Sequence, residues 1–323
     1  MTAPATTSPH RDVSAGAVWV ALAVVYVAWG STYLGIRIVV EDLPPLLSAA
    51  ARFLTAALVM GTFLAVRSGP RVLRVRAREL RGAAIVGVLL LAGGNGGVVL
   101  GERTVPSGLA ALLVAMVPLW LIVLRFAAGE RPRLLTWAGV LVGFLGLGVL
   151  VLPGGGVGGT TTGIAFIVGA SLSWSVGSFL SPRMPMPANP FVATVWEMLA
   201  AAIALLVLGT ARGERVHDFA GASIGSWVAL GYLVVFGSLV AYTAYVWLLQ
   251  NAPLSLVSTY AYVNPVVAVV LGAIILAEPL TAAIVTGGAI VVVGVALVVR
   301  AERPRRRGPT GEPVEPLRTG TQA

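Results

Sequence analysis

Apolar residues fall into ten long runs, each closed off by a charge, a proline or a glycine, at about 17–40, 45–66, 82–101, 105–127, 134–152, 161–180, 189–209, 225–249, 253–276 and 280–299. A helix needs about 20 apolar residues to cross the roughly 30 Å hydrocarbon core of a bilayer, so each run predicts one spanning helix. Stretches such as Ala289-Ile290-Val291-Val292-Val293 are apolar on every face, unlike the in-out alternation of a membrane β-barrel. The first run is not read as a signal peptide: it continues without a cleavage site into Trp29-Gly30-Ser31-Thr32-Tyr33, and its length of about 24 residues is too great for one. The pattern predicts an all-α membrane protein of ten transmembrane helices.

Composition narrows the function classes. The 323 residues are 57% hydrophobic and 11% charged, against about 25% charged in a soluble domain, which excludes a soluble fold and, equally, a disordered chain. There is no cysteine, so disulfides, thiolate metal sites and cysteine nucleophiles are out. There is no lysine either, which removes Schiff-base chemistry. The two histidines, His10 and His217, lie far apart in polar segments, so no intramembrane zinc or Ser-His site is expected. No metal and no cofactor are expected, and the chain does not read as an enzyme.

Charge sets the expected orientation. Placing the N-terminus inside gives the cytoplasmic segments Arg11, Arg67, Arg71, Arg74, Arg76, Arg78, Arg81, Arg125, Arg131, Arg133, Arg183, Arg300, Arg303, Arg305, Arg306, Arg307 and Arg318, leaving Arg103, Arg212 and Arg215 outside and Arg37 and Arg52 within spans. This positive-inside bias predicts cytoplasmic termini. The net charge of +9 is then topogenic, and no nucleic-acid partner is expected.

The chain also repeats. Pro106 and Pro118 match Pro253 and Pro265 at an offset of 147; Glu130, Gly139 and Gly146 match Glu278, Gly287 and Gly294 at 148; Trp29 matches Trp174 at 145, and Gly87 matches Gly231 at 144. Two halves of five helices enter the membrane from opposite sides, the inverted repeat that lets a central site open alternately to each face. This predicts a secondary transporter for a small-molecule substrate in the lipid bilayer. The rival reading is a membrane scaffold or sensor, which needs neither repeat symmetry nor polar groups at mid-membrane.

Trp29-Gly30-Ser31-Thr32-Tyr33, Arg52-Phe53, Pro118, Glu130, Ser173-Trp174, Tyr260-Ala261-Tyr262-Val263-Asn264-Pro265 and Glu278, taken in order and duplication, resemble the EamA branch of the drug/metabolite transporter superfamily. The resemblance implies an exporter of amino acids, other small metabolites or amphipathic compounds in the bacterial inner membrane, working without ATP. It also implies a central cavity lined largely by helices 1, 3, 4, 6, 8 and 9. On this reading residues 1–16 are a cytoplasmic tail, 17–152 and 161–299 the two EamA-like five-helix repeats, 153–160 a glycine-rich linker and 300–323 a disordered basic cytoplasmic tail.

Polar residues inside the spans are the candidate site, since an ionisable group there costs about 2.5–3.5 kcal/mol on insertion scales. Arg52 and Glu197, 145 apart, occupy equivalent positions in the two halves and suggest a direct or water-bridged pair across them, either a packing lock or, through Glu197, a proton-coupling site. Trp29 and Tyr33, on a stripe with Tyr26 and Arg37, and their repeat mate Trp174 are expected at the cavity. Asn95, inside Gly93-Gly94-Asn95-Gly96-Gly97, either bonds a neighbouring helix or reaches substrate; the glycines either unwind helix 3 or admit another helix. Tyr242, Ser258, Tyr262 and Asn264 complete the substrate-binding candidates, with the cavity-lining face of helix 9 left open. Pro118 and Pro265 are candidate hinges because each frees a carbonyl one turn back. Small residues on helices 5 and 10 suit either packing within the chain or a homodimer. The sequence leaves an uncoupled facilitator as the alternative to a gradient-driven exporter.

Overall fold

The structure is a computed structural model and describes residues 14–151, 159–252, 254–257 and 259–301. Most of the expected tails and linker, Pro253 and the site candidate Ser258 lie outside the described residues. Among the described residues there is no strand, and eight helical runs are long and apolar enough to cross a membrane. Two shorter apolar helices, Leu134–Leu150 and Tyr260–Ile275, accompany them. The ten apolar runs of the sequence thus all become helix, and eight of them reach spanning length.

The first run is α1 (Ala15–Gly30) and α2 (Thr32–Asp42), followed by α3 (Pro45–Ser68). Next come α4 (Ala77–Gly87), a π-helical segment (Val88–Asn95) and α5 (Gly96–Gly101), then α6 (Ser107–Val114), α7 (Val117–Ala127) and α8 (Leu134–Val151). The second half holds α9 (Thr161–Leu180), α10 (Pro190–Ala211), α11 (Ile224–Tyr232), a second π-helical segment (Leu233–Val240) and α12 (Ala241–Asn251). It closes with α13 (Leu254–Val257), α14 (Tyr260–Ile275) and α15 (Ala282–Ala301).

Local chemistry explains the breaks. Between α1 and α2 the Ser31 hydroxyl donates to the Val27 carbonyl at 2.6 Å and lies 3.1 Å from that of Ala28, a back-bond that bends helices. Pro118 cannot donate to the preceding turn, so α6 stops at Val114 and α7 restarts at Val117 with the proline in its first turn, where no N–H is required. Its repeat mate Pro265 lies inside α14, which runs on through it. Acids cap two helix starts and complement their dipoles. Glu214 accepts from the Leu46 and Leu47 N–H groups, and Glu278 from those of Ser107 and Gly108. Glu130 instead pairs with Arg125 at 2.6 Å and Arg183 at 3.2 Å.

The two sequence halves do not form separate lobes. One core gathers Ile36, Phe53 and Val98 from the first half with Met198, Leu205 and Leu233 from the second. Another gathers Leu109, Met116, Leu119 and Leu150 with Ile167 and Val291. Tyr33 and Val114 pack against both cores and so stand at their junction. A third, small cluster of Leu22, Val25, Leu248 and Val257 joins α1 to α12 and α13. Outward-facing side chains such as Val66, Ile203, Val228 and Ile274 are apolar and exposed, a surface suited to lipid and not to water.

Helices α8 and α15 meet through their glycines inside the chain. A Cβ on Gly294 would lie 2.4 Å from the Gly143 nitrogen, and one on Gly139 2.9 Å from the Gly294 carbonyl oxygen. The small-residue faces of these two helices are therefore engaged intramolecularly, and a second copy would have to meet other faces. Gly294→Val should force backbones apart and destabilise the protein by about 1–3 kcal/mol, read as a lower thermal midpoint in detergent. Gly148→Ala, which meets nothing within 4 Å, should leave the midpoint unchanged or raise it slightly.

Candidate functional site

The two π-helical segments occupy the same place in the two repeats: 88 to 233 and 95 to 240 are both the offset of 145 that relates Trp29 to Trp174 and Arg52 to Glu197. A π-turn displaces backbone groups from the regular ladder and recurs at functional sites. Each segment receives a side-chain donor from the other half. The Ser173 hydroxyl donates to the Leu89 carbonyl at 2.8 Å, and the Trp29 indole N–H to the Gly237 carbonyl at 3.2 Å.

Around the second segment the polar groups converge. The Arg52 guanidinium donates from Nε to Ser238 Oγ at 2.9 Å and from a terminal nitrogen to Asn95 Oδ1 at 3.3 Å, tying α3 to both π segments. Gly237 makes this possible: a Cβ there would lie 3.0 Å from an Arg52 terminal nitrogen and 3.0 Å from a Thr32 methyl. Trp29 stacks at tilted and edge-on angles with Tyr245 and Tyr260, ring centroids 5.0 and 5.3 Å away, and Tyr242 adjoins Tyr245 at 6.5 Å. The Tyr26 hydroxyl hydrogen-bonds Thr259, and the Ser31 hydroxyl lies 2.6 Å from that of Tyr232. The site is a guanidinium beside an aromatic wall, lined with hydroxyls and amides, a surface able to hold a zwitterion or an aromatic or amphipathic solute.

Trp29, Asn95, Tyr242 and Arg52 thus fall in one continuous network. Trp174 lies over the other π segment, where a Gly94 Cβ would meet its ring at 2.8 Å. Tyr33 sits at the junction of the two main cores. The expected stripe of Tyr26, Trp29, Tyr33 and Arg37 is broken by the bend at Ser31, and Arg37 ends on the Glu102 backbone carbonyl. Helix α14 turns Tyr260 toward Trp29, while Tyr262 packs against the second core. Asn264 follows Tyr260 by one turn and is buried, with no hydrogen-bond partner for its side-chain oxygen among the described residues.

Arg52 and Glu197, expected to pair directly or through water, make no direct ion pair. Among the described residues the arginine–carboxylate pairs are those of Arg125 and Arg183 with Glu130, and Arg52 hydrogen-bonds the neutral Ser238 and Asn95 instead. Glu197 is buried, close to Tyr242. The glycine run of helix 3 does both things open to it. It carries the π segment and admits α9, since a Gly97 Cβ would lie 2.8 Å from that of Ala170.

Sequence reasoning left the π segments and Glu102 unremarked. The first was accessible through the repeat offset, since Gly93-Gly94 marks the segment in one half, but the other half shows only Gly237. Glu102 lies in a short turn between two apolar runs, a place that reads as solvated, yet it is fully buried. Two shallow cavities of about 360 and 280 Å³ lie at one end of the bundle. Neither is lined by the Trp29–Arg52 network.

Comparison with known proteins places the chain. The profile of the EamA-like transporter family matches residues 14–152 and 161–300. The uncharacterized inner membrane transporter YedA of Escherichia coli (strain K12) is 41% identical over 253 residues, 78% of this chain and 80% of that protein. A probable terminal-alkyne amino-acid exporter of Streptantibioticus cattleyicolor is 30% identical over 295 residues, 90% of this chain and 96% of that one. A protein of known crystal structure shares the fold, with a TM-score of 0.61 at 21% identity over 90% of this chain and all of that one.

Trp29 offers a direct test of the network. Trp29→Phe keeps a ring against Tyr245 and Tyr260 but removes the donor to Gly237, and should cost about 0.6 kcal/mol, a typical interhelical hydrogen bond in a membrane. Trp29→Ala also empties the ring's place and should cost about 3–5 kcal/mol. Thermal unfolding of the purified protein ranks the two variants.

Proposed function

The chain belongs to the EamA-like transporter family, and from that premise we propose that it is a secondary exporter of small metabolites, amino acids or amphipathic compounds, working by alternating access. The observation that carries the proposal is the polar and aromatic network at the second π segment. It sits among apolar spanning helices, where uncompensated polar groups are costly, and it draws on α1, α3, both π segments, α12 and α14. Packing alone asks for no such concentration.

In this reading the eight long helices and the two shorter apolar ones are ten spans in two inverted five-helix repeats. The equal offset of the π segments and of Arg52 and Glu197 supports that symmetry. The moving bodies are the two mixed cores, with Tyr33 at their junction. Trp29, Asn95, Trp174, Tyr242 and Asn264 face the solute, Pro118 and Pro265 let α7 and α14 flex, and Tyr262 adjusts the path on the α14 side. The protein is a multi-pass membrane protein; its place is the inner membrane, with both termini cytoplasmic by the arginine distribution. The Escherichia coli relative is named an inner membrane transporter and the Streptantibioticus cattleyicolor relative an amino-acid exporter, which supports both location and substrate class.

Export is coupled to a gradient, with Glu197 as the mid-span acid that takes the proton. The neutral partners of Arg52, Ser238 and Asn95, favour one alternative, an uncoupled facilitator in which both charges only hold helices together. Efflux from proteoliposomes loaded with a mixed amino-acid and metabolite extract separates the two. The exporter predicts faster loss of a solute under a pH gradient, and a Glu197→Gln protein that equilibrates the solute without responding to the gradient. Equal rates under all conditions in both proteins would establish the facilitator.

A further inference from the structure

Glu102 is an acid that the site described above does not use. It is fully buried, and neither carboxylate oxygen has a hydrogen-bond partner among the described residues. It lies one residue beyond the run Ala77–Gly101, in the turn that carries the chain from the first core, through Val98 and Val99, to the second, through Val105 and Leu109. Its surroundings at that junction are few. From α2 it faces Tyr33 and Arg37, whose guanidinium is committed to the Glu102 backbone carbonyl, and from the turn after α14 it faces Glu278, held by the α6 N-terminus. The facing helix α9 has no titratable side chain, and α6 and α7 have none but Arg125, bound to Glu130 at their far end. Arg37, Glu41 and Glu278 line the cavity of about 280 Å³, which opens beside Thr104 and Pro106.

An ionised carboxylate sealed in this way is costly, because burial strips its water and nothing replaces it. Burial, with Glu278 adding to it and Arg37 opposing it, raises the Glu102 carboxyl well above the ordinary carboxylate range. The sealed junction therefore suits the neutral acid. The Arg37 guanidinium is already spent on the Glu102 backbone carbonyl, so an ionised Glu102 needs water, which reaches it only when α2 and the 102–106 turn part.

We propose that Glu102 is a proton-binding latch at the junction of the two cores: the neutral acid holds this end of the bundle shut, and loss of the proton to water opens it. The linkage has a definite sign. The shut state raises the acid's affinity for a proton above that of the open, hydrated state, so closure is favoured at low pH and is lost as pH rises. The latch deepens the transporter reading, on which its use rests: protonation from one side would close that side and expose the other.

The chain has no cysteine, so one introduced thiol reports alone. Val105 is fully buried beside Glu102. The test is the rate at which N-ethylmaleimide labels Val105→Cys in the full-length protein in proteoliposomes, in otherwise wild-type and in Glu102→Gln backgrounds, from about pH 5 to about pH 9. The ratio of the two rates at each pH cancels the thiol's own titration. It should be near unity at the acid end and then rise by up to about tenfold per pH unit, the limit for one linked proton. A ratio that stays flat overturns the latch. Should Glu102→Gln fail to fold, Glu102→Asp keeps a titratable acid and must keep a pH-dependent rate relative to Glu102→Ala; its loss overturns the latch equally. The labelling needs no solute. A flat ratio with gradient-driven efflux intact removes the latch and leaves the exporter, whereas a rising ratio without efflux of any solute supports the latch and removes the exporter.

Discussion

Inside a bilayer no water is available to a backbone N–H or carbonyl that leaves its helix, so the protein itself must answer every such group. This chain departs from the regular α-ladder in several places and answers three of them with a side chain. The Ser31 hydroxyl donates to the Val27 carbonyl at the α1–α2 break, and Ser173 and Trp29 reach the two π segments. The donors to the π segments come from other helices. The irregular backbone therefore cannot form until the helices that repair it have packed, which ties the polar site to the tertiary fold.

The same constraint explains why the site is shared between halves. Trp29 of the first half answers Gly237 of the second, and Ser173 of the second answers Leu89 of the first. The hydrophobic cores follow the same exchange, each drawing large side chains from both repeats. Two rigid bodies that are mixtures of the repeats, meeting along Tyr33 and Val114, are a natural division for a motion that opens one end while closing the other. Among the described residues, Asn264 and Glu102 are the buried side chains with oxygens left unbonded, and each has a role in the proposed transport cycle.

Much of this was legible in the sequence. Ten apolar runs, the duplication of Trp29, Pro118 and Glu130, and the order of the motifs anticipate the helical elements and the family. Glycines at 93–97, 139 and 294 anticipate close helix contacts, because only a missing Cβ permits them. Which partner each polar group takes was not legible. Arg52 and Glu197 hold equivalent positions, yet equivalence in an inverted repeat says nothing of contact, and Arg52 chose Ser238 and Asn95. Pro118 and Pro265 match in sequence, yet one ends a helix and the other is absorbed. Glu102 has the look of a turn residue and is buried because two cores close over it, a consequence of packing that no local pattern carries.

Transport through this protein requires the network around the second π segment to line a path that water and solute enter. The most direct test is side-specific labelling of Asn264→Cys in the otherwise cysteine-free protein, reconstituted in liposomes, with a small charged methanethiosulfonate reagent. Ile203→Cys, on an exposed apolar surface, serves as the lipid-facing control. The account predicts that Asn264→Cys is modified from at least one side of the membrane while Ile203→Cys resists. If Asn264→Cys resists from both sides as Ile203→Cys does, the network is sealed packing and the path lies elsewhere.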